Sequence, residues 1–303
     1  MRWWQTATLC AVLAAGSAAR AQERFSPFIA SDPVSVGQMI VLAGLRDGDT
    51  VVDLGSGDGR IVIAAARAHA GIRGWGVDLD EKLVLESNTA AQAQGLAERI
   101  RFVRGDVFDA DLSQVDVIFI WLWPEIMRML RPKILAEARP GTRVITGIWA
   151  LGNWRPDRVD DKSMRLNLWI VPARVDGYWR WELPVDGKPR IYGAILDQQF
   201  QDVEGVVRTG NRRGSLTDLK LAGEDLSFAL DMTLEGAGRM RHEFRGRVQG
   251  EEITGTVRIA PMGEGNHEKA SESTVLPWRA KRTVTSSYFE STGQPGLHGG
   301  PVK

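Results

Sequence analysis

Six continuous apolar runs punctuate the first half of the chain: TVVDL (50–54), GWGVDL (74–79), IRFVRG (100–105), VDVIFIW (115–121), TRVITGIW (142–149) and LNLWIVPA (166–173). Unbroken runs of this length read as strands buried on both faces, which is the pattern of a parallel sheet covered by helices. The stretches between them predict those helices: Pro33 to Leu45, Arg60 to Ala70, Glu81 to Gln94 and Pro124 to Ala138. Asp32 stands as N-cap before Pro33, and Asp80 caps a helix that Gly95 stops. Pro132 is expected to bend or break the fourth helix. Strands alternating with helices make βαβ units, so an α/β domain is expected over residues 25–173.

After residue 174 the pattern changes to short alternating segments separated by glycines. RIYGAILDQQFQ, EGVVRT, GSLTDLKLAG, EDLSFALDMTL, MRHEFRGRVQG, EEITGTVRI and VLPWRAKR recur at the spacing of an antiparallel barrel or sandwich. The expectation is a small all-β, barrel-like domain over residues 174–285, then a polar, Gly/Pro-rich disordered tail over 286–303. Trp179, Trp181 and Trp278 fall at core-like positions in that domain, among Arg239, Arg241, Arg245 and Arg247. A lipid, a glycan or a partner protein all remain open as its ligand.

The N-terminus adds a destination. Arg2, the run TATLCAVLAAGSAA and an A-x-A-like site ending at Ala21 read as a signal peptide over residues 1–21, implying export to the periplasm. The run is short for a span, but an uncleaved membrane anchor stays open, and with it an envelope or membrane association. Cys10 is the sole cysteine and lies inside this leader, so the mature chain has no thiol for a disulfide or a thiolate metal site. With 38 basic and 38 acidic residues, the chain lacks the basic footprint of a nucleic-acid binder. His69, His242, His267 and His298 show no ligand spacing and are read as surface residues, so no metal is expected.

The chemistry concentrates in VVDLGSGDGR. Asp53 ends a buried strand, and Gly55, Gly57 and Gly59, with Ser56 between them, let the backbone turn tightly and approach a ligand with no Cβ in the way. A dinucleotide loop would read G-x-G-x-x-G and present a helix N-terminus to a pyrophosphate. Here Asp53 and Asp58 put negative charge beside the loop, which suits an ammonium or a sulfonium instead. Asp78, at the end of the second run, can accept both ribose hydroxyls of a nucleoside. Asp106 ends the third, where it can accept from an adenine amino group while Val107 and Phe108 wall the base.

These residues resemble the class I S-adenosylmethionine-dependent methyltransferases. Asp53 to Gly59 matches their first motif, and Asp78 and Asp106 match their ribose and adenine positions. The longer string DLGSGDGRIVIAAA, with PFIASDP upstream, resembles the bacterial and mitochondrial group that includes the lysine methyltransferase of the ATP synthase c subunit. The resemblance implies a Rossmann-like fold with a parallel central sheet, S-adenosyl-L-methionine as cofactor and a protein lysine as acceptor. It also implies that the segment near residues 27–33 closes over the cofactor, where this chain has Ser31-Asp32-Pro33.

For the acceptor the chain reads Trp121-Leu122-Trp123-Pro124 where enzymes acting on planar amides or bases carry an Asn or Asp. An aromatic slot built from Trp121, Trp123 and Pro124, with Asp32 nearby, would desolvate a lysine ammonium and leave the free amine that attacks. The same aromatics also fit a plain core. A second reading is an exported envelope-binding protein whose methyltransferase-fold domain is inactive.

Overall fold

The computed structural model describes residues 31–262 and 273–284. The leader, residues 27–30 of the expected closing segment, His267, His298 and the tail therefore lie outside the described residues.

The α/β unit runs α1 (Pro33–Ala43), β1 (Thr50–Leu54), α2 (Arg60–Ala68), β2 (Arg73–Asp78), α3 (Glu81–Ala93), β3 (Ile100–Arg104), a 3₁₀ turn (Val107–Asp109), β4 (Val117–Ile120), α4 (Pro124–Glu137), β5 (Arg143–Gly147), β6 (Arg158–Asp160) and β7 (Leu166–Ile170). The predicted caps are present: Asp32 accepts from the Val34 and Ser35 amides at 3.0 Å, and Asp80 accepts from the Lys82 amide. Pro132 does not break α4, which continues past it to Glu137.

The strands form one sheet in the order β3-β2-β1-β4-β5-β7-β6. From β3 to β5 all neighbours are parallel, whereas β7 runs antiparallel to both β5 and β6. The expected parallel sheet is thus a mixed one. Parallel neighbours need a crossover of a dozen or more residues, and only residues 161–165 separate β6 from β7, so that turn forces a hairpin. β6 escapes a hydrophobic reading because none of its three residues is buried.

Two apolar layers cover the sheet. Val51, Val117, Phe119 and Ile145 pack with Met39 of α1 and Val62 of α2, while Val52, Ile118, Ile120 and Val144 pack with Met127, Leu130 and Ile134 of α4. The chain moves from β1 to β2 on one side and returns to β4 on the other. This reversal opens a crevice at the carboxyl ends of β1 and β4, where open α/β sheets take ligands.

The second unit is a nine-stranded antiparallel sheet of β8 (Gly177–Val185), β9 (Lys188–Gln199), β10 (Asp202–Thr209), β11 (Arg212–Ser215), β12 (Thr217–Ala222), β13 (Asp225–Leu234), β14 (Gly238–Gln249), β15 (Glu252–Pro261) and β16 (Thr274–Thr283). The sheet order is β11-β10-β9-β8-β16-β15-β14-β13-β12. Tight two-residue turns join β8 to β9, β9 to β10, β10 to β11, β12 to β13 and β14 to β15; Asp186-Gly187, both at positive φ, connects β8 to β9 in the sense that matches strand twist. No ladder joins the edge strands β11 and β12 among the described residues, so a closed barrel is not what the pairing gives. β8 precedes the first segment that alternation singled out.

Trp179, Trp181 and Trp278 are buried in the interior of this sheet, with Phe228 and Phe244 stacked at 4.5 Å among them. His242 is also fully buried and lies 3.1 Å from the Tyr192 hydroxyl, so it is a core residue rather than a surface one. Burial pushes its pKa down to about 4, which keeps the ring neutral. Among the described residues no helix is long and apolar enough to cross a membrane.

Candidate functional site

A cavity of about 720 Å³ opens at the carboxyl edge of β1, β2 and β4. Its floor is the loop between β1 and α2. Gly55, Gly57 and Gly59 have φ of 84°, 53° and 80°, a run of left-handed backbone that side chains resist. The Gly55 and Ser56 amides both donate to the Val77 carbonyl, at 2.9 and 3.0 Å, and this pins the loop to β2. A Cβ on Gly55 would lie 2.5 Å from Leu122, so the loop also passes directly beneath the chain leaving β4.

Asp78 sits at the end of β2 and holds the loop from the side. One carboxylate oxygen accepts from the Gly57 amide at 2.8 Å and the other from the Asp80 amide at 2.9 Å. Asp53 is deeper, 1% exposed, and its Oδ1 has no hydrogen-bond partner; the Ser56 hydroxyl is buried without one as well. Desolvation, with the charges of Asp78 and Asp58 nearby, pushes the Asp53 carboxyl up to about 8. Asp106 caps the 3₁₀ turn by accepting from the Phe108 amide at 3.0 Å, and Val107 and Phe108 line the cavity beside it. The structure therefore brings Asp53, Gly55, Ser56, Asp78, Asp106 and Val107 to one cavity, floored by the loop that Gly57 and Gly59 shape.

Asp58 differs from the reading of a free negative charge. The Arg60 guanidinium pairs with it through Nε, at 2.8 and 3.0 Å, and through Nη2, and this hydrogen bonding holds the carboxyl below the usual range. Arg60 Nη1 also donates to the Ser31 carbonyl at 2.6 Å, tying the entry to α1 onto the glycine loop. Its signal in the sequence was an arginine two residues after an acid at the exit of a glycine loop.

On the other side, Trp121 and Trp123 line the cavity, together with Glu125, Ile126 and Met129 on the first turns of α4. The Trp121 ring lies where a Cβ on Gly147 would be, 2.5 Å from it. Pro124 takes the first turn of α4 and is not among the lining residues. Asp32 is spent on capping α1, where Ser35 holds its carboxyl below the usual range; Ser31 is the neighbour that reaches the cavity. Spacing alone gave no view of Glu125 and Met129, which needed the helix phase of α4. Seven carboxylates line the cavity against two guanidiniums, Arg60 and Arg104, and Arg104 pairs with Glu81 at 3.2 Å. That field favours a cationic occupant. No group of three or more metal-ligating side chains is assembled among the described residues.

A family described as the ANTKMT methyltransferase domain matches residues 53–158. A protein-lysine N-methyltransferase of Saccharolobus islandicus is 30% identical over 147 residues, 48% of this chain and 91% of that protein. The lysine N-methyltransferase of the ATP synthase C subunit from Xenopus laevis is 33% identical over 157 residues, 52% of this chain but 63% of its own length. A solved structure described as an RNA methyltransferase from Salinibacter ruber, in complex with S-adenosyl-L-homocysteine, is 37% identical with a TM-score of 0.47, covering 48% of this chain and 96% of that one. These three similarities each span about half of this chain.

Proposed function

We propose, from the premise that the chain belongs to the class I S-adenosylmethionine-dependent methyltransferases, that it methylates a lysine amine of a protein. The cofactor is S-adenosylmethionine, and the cavity fits it. The partnerless, buried Asp53 oxygen suits its ammonium, Asp78 its ribose diol and the Asp106 to Phe108 wall its adenine. The glycines leave room for the backbone to approach it. When bound, it supplies a methyl group already activated on a sulfonium.

The observation that carries the lysine reading is the indole wall of Trp121 and Trp123 beside an acidic cavity, with no Asn or Asp in the segment 121–124 to bind a planar amide. Carboxylates draw a cation in, and the indoles then desolvate it and lower its pKa, leaving a free amine. The remaining task of the side chains is to align that amine and exclude water. The names of the relatives point the same way. The reading of an inactive envelope-binding protein finds no support among them.

Incubating the protein with radiolabelled cofactor and an envelope extract is expected to label protein, at a rate that climbs as pH rises toward the lowered lysine pKa. Label confined to nucleic acid, lipid or small molecules would refute the lysine acceptor. Asp78→Ala is expected to weaken S-adenosylhomocysteine binding about 10- to 100-fold, or ~1–3 kcal/mol, measured by calorimetry. Equal affinity in both proteins would remove Asp78 from the site. The proposal includes export: intact mass of the protein from its native envelope should place the mature N-terminus at Gln22, after cleavage at Ala21.

A further inference from the structure

We infer that the turn between β9 and β10 braces the acceptor side of the cavity, with Phe200 and Gln201 as positioning residues. The inference rests on the reading that Trp121 and the start of α4 face the acceptor. It assigns a role to the β unit, which lies beyond the residues 53–158 that the methyltransferase family matches.

Phe200 has φ +58°, a conformation that glycine takes freely and an aromatic residue resists. A phenylalanine kept there is compensated by what its ring touches. The ring leaves its own sheet and stacks on Trp154 of the α/β unit, with centroids 5.8 Å apart and planes at 18°. The Arg131 guanidinium of α4 lies 5.4 Å over the same ring. Gln201 adds two directed bonds: its Oε1 accepts from Trp154 Nε1 at 2.9 Å, and its Nε2 donates to the Arg155 carbonyl at 2.7 Å. Gln198 steadies the turn from behind by donating to the Phe200 carbonyl at 2.7 Å.

What the turn grips leads to the cavity by two routes. Arg131 shares α4 with Glu125, Ile126 and Met129, and it also donates to the Leu151 carbonyl and the Asn153 side chain. Trp154 lies on the segment 148–157 that leaves β5. That segment starts at Ile148, a β-branched residue at φ +61°, where the Trp149 amide closes a three-residue turn onto the Gly147 carbonyl at 2.7 Å. The Trp149 carbonyl is held by Thr146 Oγ1 at 2.6 Å and Asn167 Nδ2 at 3.3 Å. Gly147 is the seat of the Trp121 ring. Movement at Phe200 therefore reaches both the indole wall and α4, while Asp53, Asp78 and Asp106 hang on β1, β2 and β3, which neither the Phe200 ring contacts nor the Gln201 hydrogen bonds involve.

Phe200→Gly tests this in the full chain, because it keeps the turn's backbone and removes only the ring; Gln201→Ala is the second variant. Hydrogen exchange of residues 124–131 and 149–157 should quicken tenfold or more, with residues 50–59 and 73–78 unchanged and S-adenosylhomocysteine affinity within twofold. Methyl transfer into the envelope extract should fall about tenfold, and Phe200→Tyr should restore it. Unchanged protection in both variants, or protection lost equally on the cofactor side, overturns the brace. Exchange is read with no acceptor present, so a failed lysine assignment leaves the exchange result intact.

Discussion

At pH 8.5 the cofactor-free Asp53→Asn protein should be more stable than the wild type, and at pH 4 the two should coincide. Asp53 is fully buried with an unsatisfied oxygen, and its carboxyl is pushed up to about 8 from an ordinary 3.8. The folded state therefore binds the proton more tightly than the unfolded chain does. Its contribution is fully present below pH 4 and is lost as pH rises toward 8, a change on the order of 5 kcal/mol. An amide carries no charge to desolvate and so escapes the loss. Cofactor affinity should move the opposite way, falling tenfold or more at pH 8.5, because the amide offers no negative charge to an ammonium. Melting scans at the two pH values, with calorimetry of S-adenosylhomocysteine, read both effects. A stability difference between variant and wild type that is the same at both pH values would show Asp53 to be solvated.

Gly59→Ala should cost about 2–4 kcal/mol of folding stability and take cofactor binding with it. Gly59 stands at φ +80°, and its missing Cβ would lie 2.5 Å from the Phe102 ring and 2.7 Å from Ser87 Cβ, both buried. Neither neighbour can withdraw: Ser87 is on α3 and Phe102 on β3, packed against each other. The strain would fall on the loop that carries Gly55 and Gly57. Denaturant unfolding gives the stability, and an alanine variant within about 0.5 kcal/mol of wild type would contradict the close packing.

The elements of the α/β unit were legible because β1, β4 and β5 are buried on both faces and write themselves as unbroken apolar runs, and because Asp32 and Asp80 announce their helices. The direction of β7 was not, since a buried strand reads alike in either sense and only the length of its connection decides. Asp53, Asp78 and Asp106 were legible as strand ends in series. Arg60 and Glu125 were not, because their roles depend on a carbonyl twenty-nine residues away and on the phase of a helix. His242 misled for a related reason: its partner, Tyr192, is fifty residues distant, and a polar residue in an alternating strand looks outward until the partner is known.

The order of the nine-stranded sheet separates it into two blocks, β8 to β11 and β12 to β16, each folded from neighbouring hairpins. The ladder between β8 and β16, with Trp181 opposite Ala280, joins the two blocks. Loop-closure entropy falls on that one ladder, while every other pairing closes locally. Trp181 meets Tyr192 from its own block but Phe228, Phe244 and Trp278 from the other. As the chain emerges from the ribosome the first block therefore waits with an open edge and an exposed indole until β16, the last strand of the second block, is synthesised, and the β9–β10 turn it carries can settle on a firm base only then.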